Sequence, residues 1–575
     1  MFKEKIQESL EKSIKKLENK NPELRGLKFL VEKSKDKNHG NYSTNIALQI
    51  ARITKENPQT AAEAIKLEIE NQKPDFLEKT QIAVPGFINF WIKKESLEKA
   101  YLDFIKNGQK IFQKKLEKKE TIVIEYSSPN IAKPLGIHHL RTTVIGQALV
   151  NILRFYGHKV ISLSYPGDWG TQFGFLISAY KRWGSKEKLK KNPIMEMLDL
   201  YVKFSSEAKQ NQELINEGRQ EFKKLEQGDK ENRKIWRWFL KESLKDFNRT
   251  YNLLGVKIEN TIGESYYEPE LKKLVQGALK KGIAKKGEGG AIVIELPNSD
   301  IPEIIQKSDG ATIYTTRELA SIIHRQKKWK ATKIFYVAAN QQTFHLSQVF
   351  GAALRLGIAK PGQLIHIKFG MMLGQGGKKF ATREGRLIPL EDVLEESIQR
   401  AKKIIDELNP SLPENQKKEI AKDIGVGAIK FFDLSHNRLS DIIFDWDKML
   451  NLKGFSAPYI QYTFARLNSI LKKAGFKKKN NAVFLLINDL EKEIAGKILS
   501  FDEVIKDISQ NYYTDKLTEY LYDLAKNLNF FYEKFQIIKS PNQKEKESRL
   551  YLIFGAKEIL RIGLLLLGIN TPEKM

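Results

Sequence analysis

Apolar residues recur at helical spacing at Ile6, Leu10, Ile14 and Leu17, so the chain opens as an amphipathic helix with one buried stripe. GNYSTNIALQIAR, from Gly40, turns into a second apolar helix. VPGFINFWI, from Val84, alternates apolar and polar residues around a glycine, as a half-buried strand does. The lysine-rich stretch from Lys106 to Lys119 reads as a linker or surface helix. The pattern changes at Thr121. TIVIEY is a short buried strand, followed by a polar, proline-containing loop. A helix carrying Leu140, Val144, Ala148, Leu149, Ile152 and Leu153 comes next; Gly157 stops it and KVISLSY is the following strand. A strand, a long crossover and another strand predict a parallel α/β sheet. Further strands are expected at AIVIEL (291–296), KIFYVAA (333–339) and QLIHIKFG (363–370). Residues 185–254 are helical and heavily charged, an insertion between two halves of the sheet. Beyond about Leu394 strand patterns largely vanish, and helical stripes run through 457–471, 513–531 and 549–567.

These patterns predict three units: an α+β unit over 1–110, a Rossmann-type parallel-sheet α/β domain over 111–400, and an all-α helix bundle over 401–575. For 575 residues, 41% hydrophobic and 10% aromatic side chains are enough to fill several cores. The absence of cysteine excludes disulfides, thiolate nucleophiles and Cys-based zinc sites. MFKEKIQESLEKSIKKL is charged throughout and lacks the apolar centre of a signal peptide. The apolar run near Ile562–Ile569 is too short for a membrane span. A cytoplasmic protein with no membrane partner is expected. The formal net charge is 97 − 70 = +27, which points to a polyanion, nucleic acid above all, or to lysine enrichment of the whole composition.

Candidate chemistry lies in the loop after the first parallel strand, SSPNIAKPLGIHHLR. A strand, a loop and a helix N-terminus leave backbone N–H groups and the helix dipole facing one point, a ready anion site. His138 and His139 open the helix there, and Lys133 is within reach of the same phosphate. One histidine at a helix start is usually a cap or surface residue; two, with a lysine at this junction, suggest nucleotide chemistry.

The segment 128–142, SPNIAKPLGIHHLRT, resembles the HIGH-motif region of class I aminoacyl-tRNA synthetases in the form that arginine enzymes use. Anchored on Leu140-Arg141, the motif's second histidine is His139, its first is replaced by Gly136, and its glycine by His138. YPGDWGTQFG at 165–174 is similar to a segment specific to arginine enzymes. Asp309, Gly310 and Tyr314 resemble the segment that holds the substrate guanidinium, with Glu318 where the family has aspartate; Gln342 stands three residues before a histidine, as an arginine-contacting glutamine does. GGKKFATREG resembles the mobile KMSKS loop, with Lys379 for its first lysine and Arg383 for its second. GNYSTNIALQIAR and VPGFINFWI look like the family's tRNA-contacting N-terminal domain, and PYIQYTFAR (458–466) like the opening of its anticodon-binding bundle.

The resemblance implies an arginine–tRNA ligase that activates L-arginine with ATP and Mg²⁺, without a tightly bound cofactor or a metal site of its own, and passes the arginyl group to tRNA-Arg as a monomer. The catalytic groups it implies are His139, Lys133, Lys379 and Arg383. Arginine would meet Glu125, Ser128, Pro129, Asn130, His139, Tyr314, Glu318 and Gln342. ATP would meet Gly136, His138, His139, Asp168 and Lys379. The tRNA would meet Asn41, Phe87, Tyr459, Tyr462 and Arg466. Two alternatives stay open at this point: an inactive tRNA-binding homologue, which the departure at Gly136–His139 would suit, and a small-molecule nucleotidylyltransferase.

Overall fold

A computed structural model describes residues 1–34, 36–113, 116, 118–297, 299–377, 388–479 and 482–575. Near its centre is a five-stranded, all-parallel sheet, in the order Leu364–Phe369, Lys333–Ala339, Thr121–Glu125, Lys159–Ser164, Asn260–Thr261. Helices cover both faces, so its middle strands are continuous apolar runs: Ile122, Val123 and Ile124 are all buried. In register, Val123 lies between Ile161 and Ile334. From Thr121–Glu125 the chain crosses to one side through the helix Leu140–Tyr156, while Lys333–Ala339 lies on the other side. The strand order therefore reverses at the end of Thr121–Glu125, the place where open α/β sheets bind ligands.

AIVIEL folds as the strand Ile292–Leu296, but outside the parallel sheet. It is the middle strand of a separate antiparallel sheet, between Ala284–Lys286 and Ser299–Gln306. The charged insertion forms four helices, Lys186–Lys191, Pro193–Ala208, Gln212–Glu226 and Lys230–Leu254. The N-terminal region is the helix Phe2–Leu17 with two further helices against a four-stranded antiparallel sheet, in which Phe87–Ile92 lies between Tyr42–Thr44 and Leu77–Ala83. The C-terminal region is helical, including Glu414–Leu434, Ala457–Lys473, Asp515–Lys534 and Gln543–Leu566. Among the described residues no helix is long and apolar enough to cross a membrane.

A buried ion pair ties the sheet to the C-terminal helices. Arg141, on the helix after the candidate loop, donates through Nε to Asp433 (3.1 Å) and through Nη1 to the carbonyls of Gly370 (2.7 Å) and Ser440 (2.8 Å). Gly370 lies against Ser440 so closely that a Cβ would come within 2.5 Å of its backbone. Just beyond, Met372–Leu373 pairs in parallel with Ile442–Ile443.

Candidate active site

The loop after Thr121–Glu125 is held open by unusual backbone. Ser127 and Ala132 adopt left-handed φ of 51° and 65°, which costs non-glycine residues energy and needs supporting contacts. The supports come from elsewhere in the chain. Ser127 Oγ shares a 2.8 Å hydrogen bond with the Tyr251 hydroxyl, and its amide donates to Thr142 Oγ1 (3.0 Å). The Ala132 amide donates to Ser243 Oγ (2.8 Å). Both Tyr251 and Ser243 belong to the long insertion helix Lys230–Leu254.

Ser128, Pro129 and Asn130 brace the neighbouring YPGDWG segment. Ser128 Oγ accepts from the Tyr165 amide (3.0 Å), and the Pro129 carbonyl from the Gly167 amide (3.1 Å). At Gly167 a Cβ would sit 2.1 Å from Asn130 Oδ1, so any larger residue would have to displace that side chain. Asp168 is buried, and its two carboxylate oxygens accept from the Ser265 amide (2.8 Å) and hydroxyl (2.7 Å). The carboxylate expected to meet ATP is thus directed at Ser265.

His138 and His139 form a one-turn 3-10 helix with Ile137 before Leu140–Tyr156, where His139 is the N-cap. Gly136 has an ordinary extended φ of −83°, so its backbone geometry does not demand glycine. The two imidazole centroids lie 3.9 Å apart. His138 is exposed, whereas His139 Nδ1 is buried and has no partner among the described residues. Burial, with the neighbouring His138, pushes the His139 pKa down to about 3. At neutral pH His139 is an uncharged imidazole at a helix N-terminus, able to donate one N–H without carrying a charge.

A second cluster lies at the C-terminal end of Thr121–Glu125. Glu125 pairs with Arg325, a fully buried cation whose guanidinium lies over the rings of Tyr336 (5.2 Å) and Tyr165 (5.6 Å). Glu318 is buried beside them, and burial together with Glu125 pushes its pKa up to about 8 against the pull of Arg325 and a hydrogen bond from Tyr314. Tyr314 begins the helix Tyr314–Trp329 and its ring lies 4.9 Å from that of His345, whose Nε2 has no partner among the described residues. Glu125, Tyr314 and Glu318, named from sequence, therefore come together. Gln342 ends the turn after Lys333–Ala339; it is exposed, and its side chain makes no hydrogen bond among the described residues. Arg325 was not expected, although it follows Glu318 by seven residues on the same helix face.

Lys133 carries no carboxylate partner among the described residues; its Nζ lies 4.7 Å from the centroid of the Tyr201 ring. Lys379 and Arg383 lie outside the described residues. The chain leading to them passes Gly376 and Gly377, both in left-handed conformation.

The expected tRNA contacts are spread over the two ends of the chain. Asn41 braces a sheet: its Oδ1 accepts from the Ile92 amide (2.8 Å). Phe87 is 39% exposed. Tyr459 packs against Tyr522 at 5.3 Å. Arg466 is sandwiched between Tyr462 (4.8 Å) and Tyr532 (5.2 Å) and donates to Asn529 Oδ1 (2.8 Å).

Comparison with known proteins agrees with this layout along the whole chain. Residues 102–446 match the family model described as tRNA synthetases class I (R), catalytic domain. Residues 3–92 match the arginyl tRNA synthetase N terminal domain, and 460–575 the DALR anticodon binding domain. The arginine–tRNA ligase of Halothermothrix orenii is 37% identical over 576 residues, covering 100% of both chains. That of Lactococcus lactis is 38% identical over 549 residues, 95% of each. Among solved structures, arginyl-tRNA synthetase from Plasmodium falciparum superposes with a TM-score of 0.84 at 26% identity, covering 100% of this chain and 99% of the other. The Thermus thermophilus enzyme has the same fold, with a TM-score of 0.84 at 23% identity and full coverage of both chains. The parallel sheet with the His138–His139 turn before its first crossover helix, the flanking N-terminal domain and the C-terminal helices are those of a class I aminoacyl-tRNA synthetase, and the chain belongs to the arginyl-tRNA synthetase family.

Proposed function

We propose that this arginine–tRNA ligase carries out its first step between the His139 helix N-terminus and the Glu125–Glu318 pocket. The enzyme forms arginyl-adenylate from L-arginine and ATP, then passes the arginyl group to the terminal ribose of tRNA-Arg. The observation that carries the site assignment is the pair of buried carboxylates, Glu125 and Glu318, at the sheet's switch point, on the strand–loop–helix unit whose helix starts after His139.

In the first step an arginine carboxylate oxygen attacks the α-phosphorus in line, and the bond to the pyrophosphate oxygen breaks. No covalent enzyme intermediate is involved, so the protein contributes position and electrostatics. Glu318 and Tyr314 receive the planar guanidinium, for which a carboxylate offers two parallel acceptors. Glu125, held by Arg325, completes the anionic wall. His139 donates to the α-phosphate oxygen as charge develops there, at the positive end of its helix dipole. Lys133 supports the departing pyrophosphate, together with Lys379 and Arg383. Magnesium enters with ATP as part of the substrate. The tRNA is met by Phe87 at one end and by Tyr459, Tyr462 and Arg466 at the other, and the enzyme acts as a monomer in the cytoplasm.

The test is ATP–pyrophosphate exchange, with tRNA present, on two single variants. His139→Ala removes a donor that acts in the transition state and should lower the exchange rate about a hundredfold or more, with tRNA affinity unchanged. His138→Gly should leave the rate near the parent's. The reverse pattern would assign the phosphate contact to His138; small, equal effects would remove both histidines from the chemistry.

A further inference from the structure

The insertion helices do more than extend the surface. Ser243 and Tyr251 fix the strained backbone of the 127–132 loop, and Lys133 follows directly. Its ammonium lies 4.7 Å from the centroid of the Tyr201 ring, on the neighbouring insertion helix Pro193–Ala208, and both residues line a crevice with Asn130, Gln172 and Leu176. Many lysines on this very basic chain are paired with carboxylates; Lys133 is held by an aromatic face alone among the described residues.

We propose that Tyr201 is a positioning residue for ATP activation: it holds the Lys133 ammonium beside the site without neutralising it, so that the cation can pass to the polyphosphate. A carboxylate here would be a competing anion, and the lysine would have to be taken from it as phosphate arrives. An aromatic ring attracts the ammonium through its quadrupole but adds no net charge. The full positive charge of Lys133 therefore stays available, while its rigid backbone and the ring restrict where the flexible stem can point. The proposal rests on the reading of Lys133 as a phosphate contact.

The experiment is steady-state ATP–pyrophosphate exchange on the full-length enzyme with tRNA present. Lys133→Gln tests the underlying reading by itself, and parent-like kinetics there would remove Lys133 from ATP activation whatever Tyr201 does. If Lys133→Gln is impaired, Tyr201→Leu, which keeps bulk but loses the ring, should raise the Michaelis constant for ATP about threefold to tenfold. The constant for arginine and the melting temperature should stay put. Tyr201→Phe retains the ring face and should restore parent values. In Lys133→Gln, adding Tyr201→Leu should change nothing further. Parent-like ATP kinetics in Tyr201→Leu, or equal additional losses with and without Lys133, would overturn the proposal and leave Tyr201 as packing.

Discussion

If Glu318 receives the substrate guanidinium as proposed, arginine binding is coupled to loss of a proton. The Glu318 pKa is raised to about 8 because the carboxylate is buried and faces Glu125, while Arg325 is already engaged by that neighbour. A guanidinium, by contrast, stays charged across the accessible range. At pH 7 a carboxyl raised that far above its ordinary range is largely protonated, and only the ionised form offers two acceptors to the guanidinium. Arginine affinity should then strengthen severalfold as pH rises from 7 to 9, with protons released on binding at pH 7. Calorimetry in buffers of different ionisation enthalpy measures both. The sign of the linked stability follows. A carboxylate with a raised folded pKa contributes stability below its unfolded pKa, and this is lost as pH rises through about 8, where the empty site holds two like charges. The thermal shift given by saturating arginine should therefore grow from pH 6.5 to 8.5. Glu318→Gln fixes the neutral form; it should bind arginine weakly and lose this pH dependence, which also separates Glu318 from the substrate's own amino group. Affinity that is flat with pH in the parent, or an unchanged slope in Glu318→Gln, would refute the reasoning.

Asp433→Ala strands the Arg141 guanidinium, whose side chain is 1% exposed, and should cost about 3–5 kcal/mol, read as a lowered denaturation midpoint. Replacing both partners by apolar residues should recover only part of that loss, because the Gly370 and Ser440 carbonyls lose their donor. Affinity for tRNA should fall with a log–log salt slope of roughly −3 or steeper, as several phosphate contacts imply; a flat response would contradict a charge-driven tRNA surface. Arginine should be activated far better than lysine, since a half-paired buried carboxylate costs on the order of 1–3 kcal/mol; equal rates in pyrophosphate exchange would contradict the Glu318 pocket.

The strands TIVIEY and KVISLSY were legible because a parallel strand buried on both faces is a continuous apolar run, and the run survives any choice of neighbours. AIVIEL carries the same signal yet pairs in a different, antiparallel sheet. Its strand character is local, but its partners are set by how the whole chain packs. Asn260–Thr261, the sheet's last strand, is two residues long and has no pattern to read. The charged insertion showed itself as helices. That it braces the loop through Ser243 and Tyr251 did not, because each contact spans more than a hundred residues.

The same division runs through the site. Glu125, Tyr314 and Glu318 were named from motif positions and do converge. Asp168 and Asn130 belong to equally specific motifs, yet Asp168 holds Ser265 and Asn130 fills the space above Gly167. A motif records that residues are needed together; it does not say whether they are needed by the substrate or by the backbone that presents it. Arg325 shows the converse. A lone arginine on a helix's inner face has no motif, yet its pairing with Glu125, 200 residues away, leaves Glu318 as the carboxylate with the raised pKa. If the proposed pocket is the arginine site, its recognition of arginine depends on a residue that need never touch arginine. A sequence cannot display that kind of dependence, because it arises only when three charges are buried within reach of one another and one of them already has a partner.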